Sequence, residues 1–364
     1  MILHQPRGRL RTAVLTALLA ISLMAGALPA QADSADPVFV MTNAADGNQV
    51  LVYRAGRDGL DHVDTVDTGG LGTGDGLGSQ GAVTLSDNGR HLLVVNAGDD
   101  TVSLFGARGT QLTLIDTVSS AGARPISVDV HHSIAYVVNA DSDSIAGFRV
   151  GAGGLTPISH SVQSLSGEGV GPAQVEFSPN GRTLAVTEKG TNLITTFGVD
   201  RRGRASEGTS TPSAGETPFG FEFDRRGHLV ASEAFGGADG ASTVSSYAVS
   251  RNGGLSVLDG PVATTQTAAC WVAISRGHVY TTNTGSNTVS RFALSRQGDL
   301  TLVDQTPTEG SPTDLDFSDD GKHLYVVNAS SDSLSLYDVN HDGSLVPVGV
   351  LEGLPASALG VAAG

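Results

Sequence analysis

Residues 318–345 read SDDGKHLYVVNASSDSLSLYDVNHDGSL, and this stretch decides the fold. Asp319, Asp320 and Gly321 supply the positive φ and the self-bonding side chains of a tight turn. Residues 324–327 are a short apolar run with β-branched members, suited to a strand covered on both faces. Residues 328–332 are polar and turn-prone, residues 334–339 alternate apolar with polar, and Asp342-Gly343 closes the next turn. The unit predicts two strands and the start of another, with turns between them.

The chain repeats this unit. SDNGRHLLVVNAGDDTVSLF begins at Ser86 and SPNGRTLAVTEKGTNLITTF at Ser178, with more degenerate copies from His131, Asp224 and Ser275. An incomplete copy, VFVMTNAADGNQVLVY, begins at Val38 with no strand ahead of it. Before each full copy lies a short alternating segment: AVTLS, ISVDV, AQVEFS, FGFEFD, WVAIS and TDLDFS. Four strands recurring at about 45 residues is the mark of a β-propeller. Six full units and one split unit predict an all-β, seven-bladed β-propeller of four-stranded blades. Residues 358–362 match the strand that the N-terminal unit lacks, so the two chain ends are expected to share one blade and close the ring.

Residues 1–32 stand apart from the repeats. Arg7, Arg9 and Arg11 form a positive start, residues 12–28 are almost uncharged and apolar, and Ala30-Gln31-Ala32 is a small-x-small cleavage site. The expected organisation is a signal peptide over 1–32 and the propeller over 33–364, secreted to the cell envelope or beyond. Removing three arginines and no acids takes the formal charge from −16 to −19. Such an acidic chain, whose only lysines are Lys189 and Lys322, is a poor partner for nucleic acid or anionic lipid. No apolar run later in the chain predicts a transmembrane segment, and a monomer is expected. Cys270 is the only cysteine, which rules out an internal disulfide.

In a propeller the first strand of each blade lies innermost, so strand starts from different blades converge on a central channel. Two columns of the aligned repeats stand out. The first, ending the second strand, reads Asn43, Asn96, Asn139, Glu188, Glu233, Asn283 and Asn328. Asparagine there suits a turn. Glutamate in two adjacent repeats suggests either loop anchors or two acids at a channel mouth, one of them a general base. The second column, at the first strand's start, reads Ala82, Ser127, Gln174, Gly220, Trp271, Asp314 and Ala358, often with a proline two positions earlier. Gln174, Trp271 and Asp314 are its members able to bind or react. Asp338 to Gly343 opens like a calcium loop, but Gly349 occupies the place of the bidentate glutamate, so the segment reads as a hairpin. No G-x-S-x-G or H-E-x-x-H is present.

The Gly171-Pro172 strand start, the turn FSPNGR and the following Thr187-Glu188 resemble the seven-bladed propeller lactonases, a family that includes propeller-type 6-phosphogluconolactonase and carboxymuconate lactonising enzyme. The resemblance spans nearly all of residues 38–364. PFGFEFDRRGHLVASEAFGG, QTAACWV and YTTNTGSNTVS resemble a secreted actinobacterial branch of it. It implies a hydrolase that opens a small lactone or cyclic ester. The implied site places Pro-Arg-His at one strand start, a glutamate at the end of that blade's second strand, and further histidine and arginine nearby. Pro172 and Glu188 match, whereas Ala173 and Gln174 replace the arginine and histidine, Ile126-Ser127 replaces a neighbouring histidine, and Asn283-Thr284 lies where another arginine is implied. The expected roles are Glu188 as base, Glu233 and Gln174 assisting, and Trp271, Asp314, Asn283 and Ser127 binding substrate. No cofactor is required. Two alternatives are a non-catalytic binding module and a calcium-dependent lactonase using Glu188, Glu233 and Asp314 as oxygen donors.

Overall fold

Short apolar runs separated by turns that demand left-handed backbone can only fold back on themselves, and every repeat forms an antiparallel sheet. The computed structural model describes residues 1–3, 36–56, 59–250 and 253–364. All but the first three residues of the predicted leader, and its cut before Asp33, lie outside the described residues. Among the described residues seven sheets are present, and from the channel outward the strands follow chain order except in blade one. Blade one joins Leu359–Ala363 to Pro37–Met41, Gln49–Gly56 and Gly59–Asp67. Blades two to seven cover residues 83–119, 125–164, 172–212, 218–263, 269–307 and 312–352. In blade three the outermost strand is split into Gly154–Pro157 and Gln163–Ser164, both paired to Ser144–Gly151. Inner strands touch their neighbours all the way round, and Leu359–Ala363 sits between those of blades seven and two. Both chain ends therefore build one blade, and the ring closes.

The blades are held face to face by buried aromatics. Tyr136, Tyr280 and Tyr325 on second strands and Tyr247 on a third strand are wholly buried, and burying such a side chain is worth roughly 1.5–3 kcal/mol. Two of them also reach the next blade: the Tyr136 hydroxyl donates to Gly203 O (2.8 Å) and that of Tyr280 to Gly343 O (2.7 Å). Pro125, Pro172, Pro218 and Pro312 each begin an inner strand, the position where a missing N–H is tolerated. The residue before Pro218 and Pro312 is left-handed (Thr217 φ 58°, Ser311 φ 46°).

One register differs from the sequence reading. The last inner strand is Leu359–Ala363, and the blade-to-blade bonds align Val361 with Val175 and Phe221. Gly360 thus takes the column position expected for Ala358. Ala358 instead closes a turn, its N–H donating to Pro355 O (2.8 Å). Asp338 to Gly343 forms a hairpin turn, with Asp342 accepting bonds from Ser344. Among the described residues no helix is long and apolar enough to cross a membrane.

Candidate functional site: the central channel

An inner strand has a neighbour in its own sheet on one side only, so its other edge presents unpaired backbone groups. This chain covers that edge with side chains from the adjacent blade. In the upper row, Ser127 Oγ accepts Val175 N–H (3.1 Å) and Asp314 accepts Val361 N–H (3.0 Å). Gln174 pairs twice with Phe221, accepting its N–H (2.8 Å) and donating to its carbonyl (2.8 Å). Two residues further along lies a row of acids. Asp129 accepts Phe177 N–H (2.7 Å), Glu176 accepts Phe223 N–H (3.0 Å), Glu222 accepts Ile274 N–H (2.5 Å) and Asp316 accepts Ala363 N–H (2.9 Å). The acids act first as blade-to-blade clamps.

They also face one another across a narrow channel. Burial pushes Asp129 up to about 6, Asp316 to about 7 and Glu222 to about 8. Glu176 is raised well above its ordinary value by burial and then by the charge of Glu222, and Asp314 is likewise raised by burial. The backbone bonds that each accepts pull the other way and do not prevail. Near neutral pH this wall holds protons that exposed carboxylates would have lost. Glu222 differs from its neighbours in one respect: no protein donor among the described residues reaches its Oε1.

The channel is a cavity of 770 Å³, bordered by Gln174, Glu176, Glu222, Asp129, Asp314 and Asp316. Its lower rim carries the exposed first-hairpin residues Asp87, Pro179, Arg225 and Asp319. At the upper end the glycine-rich segment 69–81 passes over the channel before entering blade two. Trp271 Nε1–H donates to Ser79 O (2.8 Å), Ser79 Oγ donates to Ile126 O (2.8 Å) and Gln80 N–H donates to Ala173 O (3.0 Å). Lys189 Nζ donates to Gly78 O and lies 4.8 Å from the centre of the Phe219 ring, which packs on Trp271. Burial lowers Lys189 to about 8.

The expected site residues separate into two groups. Gln174, Asp314, Ser127 and Trp271 share the upper row of the channel. Glu188, Glu233 and Asn283 end second strands in three different blades and do not border the cavity. Glu188 is fully buried, and its two oxygens accept bonds from Ser166 N–H (3.2 Å), Ser166 Oγ, Thr191 Oγ1 (2.9 Å) and Thr195 Oγ1 (2.6 Å). Glu233 accepts from Thr243 Oγ1 (2.5 Å), Tyr247 hydroxyl (3.2 Å) and Ser213 Oγ (3.4 Å), and burial raises its pKa. Asn283 donates to Thr288 Oγ1 (3.0 Å) and Ser290 Oγ (2.9 Å) of its own blade. Glu188 thus ties its second strand to the third strand and to the loop at Ser166, whereas Asn283 ties second strand to third. Trp271, the expected ligand wall, does not border the cavity; it is buried against Phe219 and bonded to the segment above the channel. For calcium, Glu188, Glu233 and Asp314 do not converge: among the described residues no group of three or more carboxylate, histidine or cysteine side chains is placed to hold an ion.

Sequence reading missed the wall acids Asp129, Glu176, Glu222 and Asp316. Their signal is an acid flanked by apolar residues in four inner strands, VDV, VEF, FEF and LDF.

A ring of seven four-stranded blades around a polar channel defines a seven-bladed β-propeller. Residues 38–170, 162–258 and 241–350 match the family described as "Lactonase, 7-bladed beta-propeller", and the chain belongs to that family. A 6-phosphogluconolactonase of Yersinia pseudotuberculosis is 28% identical over 169 residues, covering 43% of this chain and 50% of that protein. The similarity to this curated relative thus spans about half its length. Two solved structures share the fold. A periplasmic gluconolactonase of Pseudomonas aeruginosa has a TM-score of 0.70 at 20% identity, covering 90% of this chain and 98% of its own. A Lactobacillus plantarum protein has a TM-score of 0.74 at 21% identity, covering 90% and 99%.

Proposed function

We propose that the chain is an exported lactonase-type hydrolase that opens a small lactone in the central channel, with a wall glutamate as general base. The observation that carries this reading is Glu222, whose Oε1 lacks a protein donor and whose carboxyl borders the 770 Å³ cavity. Glu188 and Glu233, the glutamates that the repeats single out, spend their oxygens on loop and strand hydroxyls. In the proposed reaction, ionised Glu222 takes a proton from a water that attacks the lactone carbonyl. Protonated Glu176 donates to the developing oxyanion. Collapse breaks the ring C–O bond, and the leaving alkoxide takes the proton back from Glu222, giving a hydroxy acid. Raised carboxyl pKa values suit both roles, since one group must ionise near working pH while its neighbour stays protonated.

The test is acid release from a panel of sugar and aromatic lactones. Turnover that survives Glu188→Gln and disappears in Glu222→Gln supports the wall site. Turnover lost with Glu188→Gln in a folded protein, and kept with Glu222→Gln, moves the base to the rim. One observation favours a second reading, a non-catalytic binding module: the upper end is closed, and most wall acids clamp backbone. A folded protein that hydrolyses no lactone would select it. Export is tested separately, by N-terminal sequencing of protein recovered from the medium, with Asp33 expected first.

A further inference from the structure

The upper-row clamp between blades five and six is supplied from outside both of them. In blade four, Gln174 holds the next inner strand by pairing with the N–H and carbonyl of Phe221. The equivalent residue of blade five is Gly220, which has no side chain to offer to Val272. Gln80 fills the gap: its Oε1 accepts Val272 N–H (2.9 Å) and its Nε2 donates to Val272 O (2.6 Å). A Cβ on Gly220 would lie 2.1 Å from that Oε1 and 2.6 Å from Cys270 O. The same two-bond pairing is thus made in blade four by a strand residue and in blade five by a loop residue from the start of blade two.

Leu77 anchors the loop in the hydrophobic core, but the tip beyond it is held by polar contacts: residues 78–81 are Gly-Ser-Gln-Gly and carry no apolar side chain. Its ties are the Gln80 pair and the bonds from Trp271, Lys189, Ser79 and the Gln80 N–H already described. On one side Gly78 sits at φ 60°, and on the other Gly81 sits at φ 76°. Both are suited to pivoting. A clamp needed permanently is encoded within the blade, as Gln174 is. A clamp on a glycine-flanked loop can leave.

We infer that residues 78–81 form a lid over the upper end of the channel, with Gln80 as a displaceable latch in a slot that a ligand can take. Lifting Gln80 uncovers one N–H and one carbonyl of Val272 beside the Trp271 ring. The ligand that fits presents an acceptor and a donor side by side, as a carboxamide does. A lactone with a neighbouring hydroxyl has that pattern: its carbonyl takes the Val272 N–H, its hydroxyl donates to Val272 O, and its ring lies against Trp271. The ligand class rests on the lactonase reading, whereas the latch does not.

The chain carries its own reporters at the slot, since Cys270 is its only cysteine and Trp271 its only tryptophan. Cys270 is buried and precedes Trp271, whose indole N–H is bonded to Ser79 O of the lid, so opening the lid is expected to speed labelling of its thiol. The experiment measures the rate of thiol labelling without ligand. It also measures binding of a sugar 1,5-lactam, followed by Trp271 emission; the lactam's ring N–H and carbonyl stand side by side. Removing a competing latch enlarges the binding-competent fraction, so Gln80→Ala is expected to label roughly tenfold faster and to bind the lactam roughly tenfold tighter. A clamp with a purely structural role gives binding that is weaker or unchanged. Gln80→Glu keeps the acceptor for Val272 N–H and loses the donor, so an intermediate labelling rate is expected; it decides the matter if the alanine variant fails to fold. Labelling at the wild-type rate in the folded variants overturns the latch. Fast labelling without lactam binding keeps the latch and removes the ligand class, and a wild type inactive on lactones bears on neither labelling rate.

Discussion

Two sets of carboxylates distinguish the upper rim of this propeller from its channel wall. At the rim, Glu188 ends a second strand and accepts four bonds, three of them from hydroxyls. On the wall, Glu222 accepts one backbone N–H and turns its other oxygen to the cavity. Both belong to the ring's hydrogen-bond network, and they differ in what remains unspent. A buried carboxylate with its acceptor capacity filled is an anchor, whereas one with an open lone pair at a cavity can still take a proton from water. Residue type and burial do not separate the two. Partner geometry does.

The strongest way to break this comparison is to remove part of the wall. Deleting residues 358–364 takes away blade one's inner strand, including the Val361 and Ala363 N–H groups held by Asp314 and Asp316. The melting temperature is expected to fall by on the order of 10 °C or more. An unchanged value in calorimetry would show that ring closure owes nothing to this strand. Next comes chemistry. Glu222→Gln is expected to lower kcat by about 10²–10⁴-fold while melting within a few degrees of wild type, and steady-state kinetics on the best lactone checks it. Equal losses in Glu222→Gln and Glu188→Gln would erase the distinction between wall and rim.

The rim is probed by Glu188→Ala, which strands the donors that this carboxylate collects. Urea unfolding is expected to show a loss of about 3 kcal/mol, as for other buried hydrogen-bond networks. A cost below about 0.5 kcal/mol, the level of ordinary surface changes, would mean that the rim column is not an anchor. The smallest effect is on pH dependence. Asp129, Asp316 and Glu222 have folded pKa values above the unfolded carboxylate range. The stability that they contribute is complete below about pH 4. It is lost as pH rises through about 6, 7 and 8 in turn. The melting temperature should drift downward across that window. Asp129→Asn/Asp316→Asn keeps an acceptor for the clamped N–H groups and should flatten the drift, read by thermal scans from pH 5 to 9. A stability that rises over this range would contradict the protonated wall.

How much of this was legible beforehand depends on the range of the interaction. Turn glycines, β-branched runs and strand-opening prolines act within a few residues, so the seven repeats and the shared blade could be read along the chain. The columns at the strand ends could be aligned as well, and the loop-anchor alternative for Glu188 and Glu233 was already open there. Which glutamate keeps a free oxygen could not be read, because Ser166, Thr191 and Thr195 surround Glu188 only after the blade folds. The two-residue offset at Gly360 has the same origin: the last strand takes its register from Asp314 and Asp316 of the neighbouring blade.

The sequence by itself determined the all-β architecture, the count of blades and the ring's closure by both chain ends, since each is written in local periodicity and spacing, and its motifs resemble the family. The tertiary structure alone decided that Asp129, Glu176, Glu222 and Asp316 meet in one channel, that Trp271 holds the segment above it, and that Gln80 replaces a side chain missing from Gly220. The physical reason is that a hydrogen bond between blades is satisfied by whichever group arrives in space, and nothing in local spacing says which one that will be.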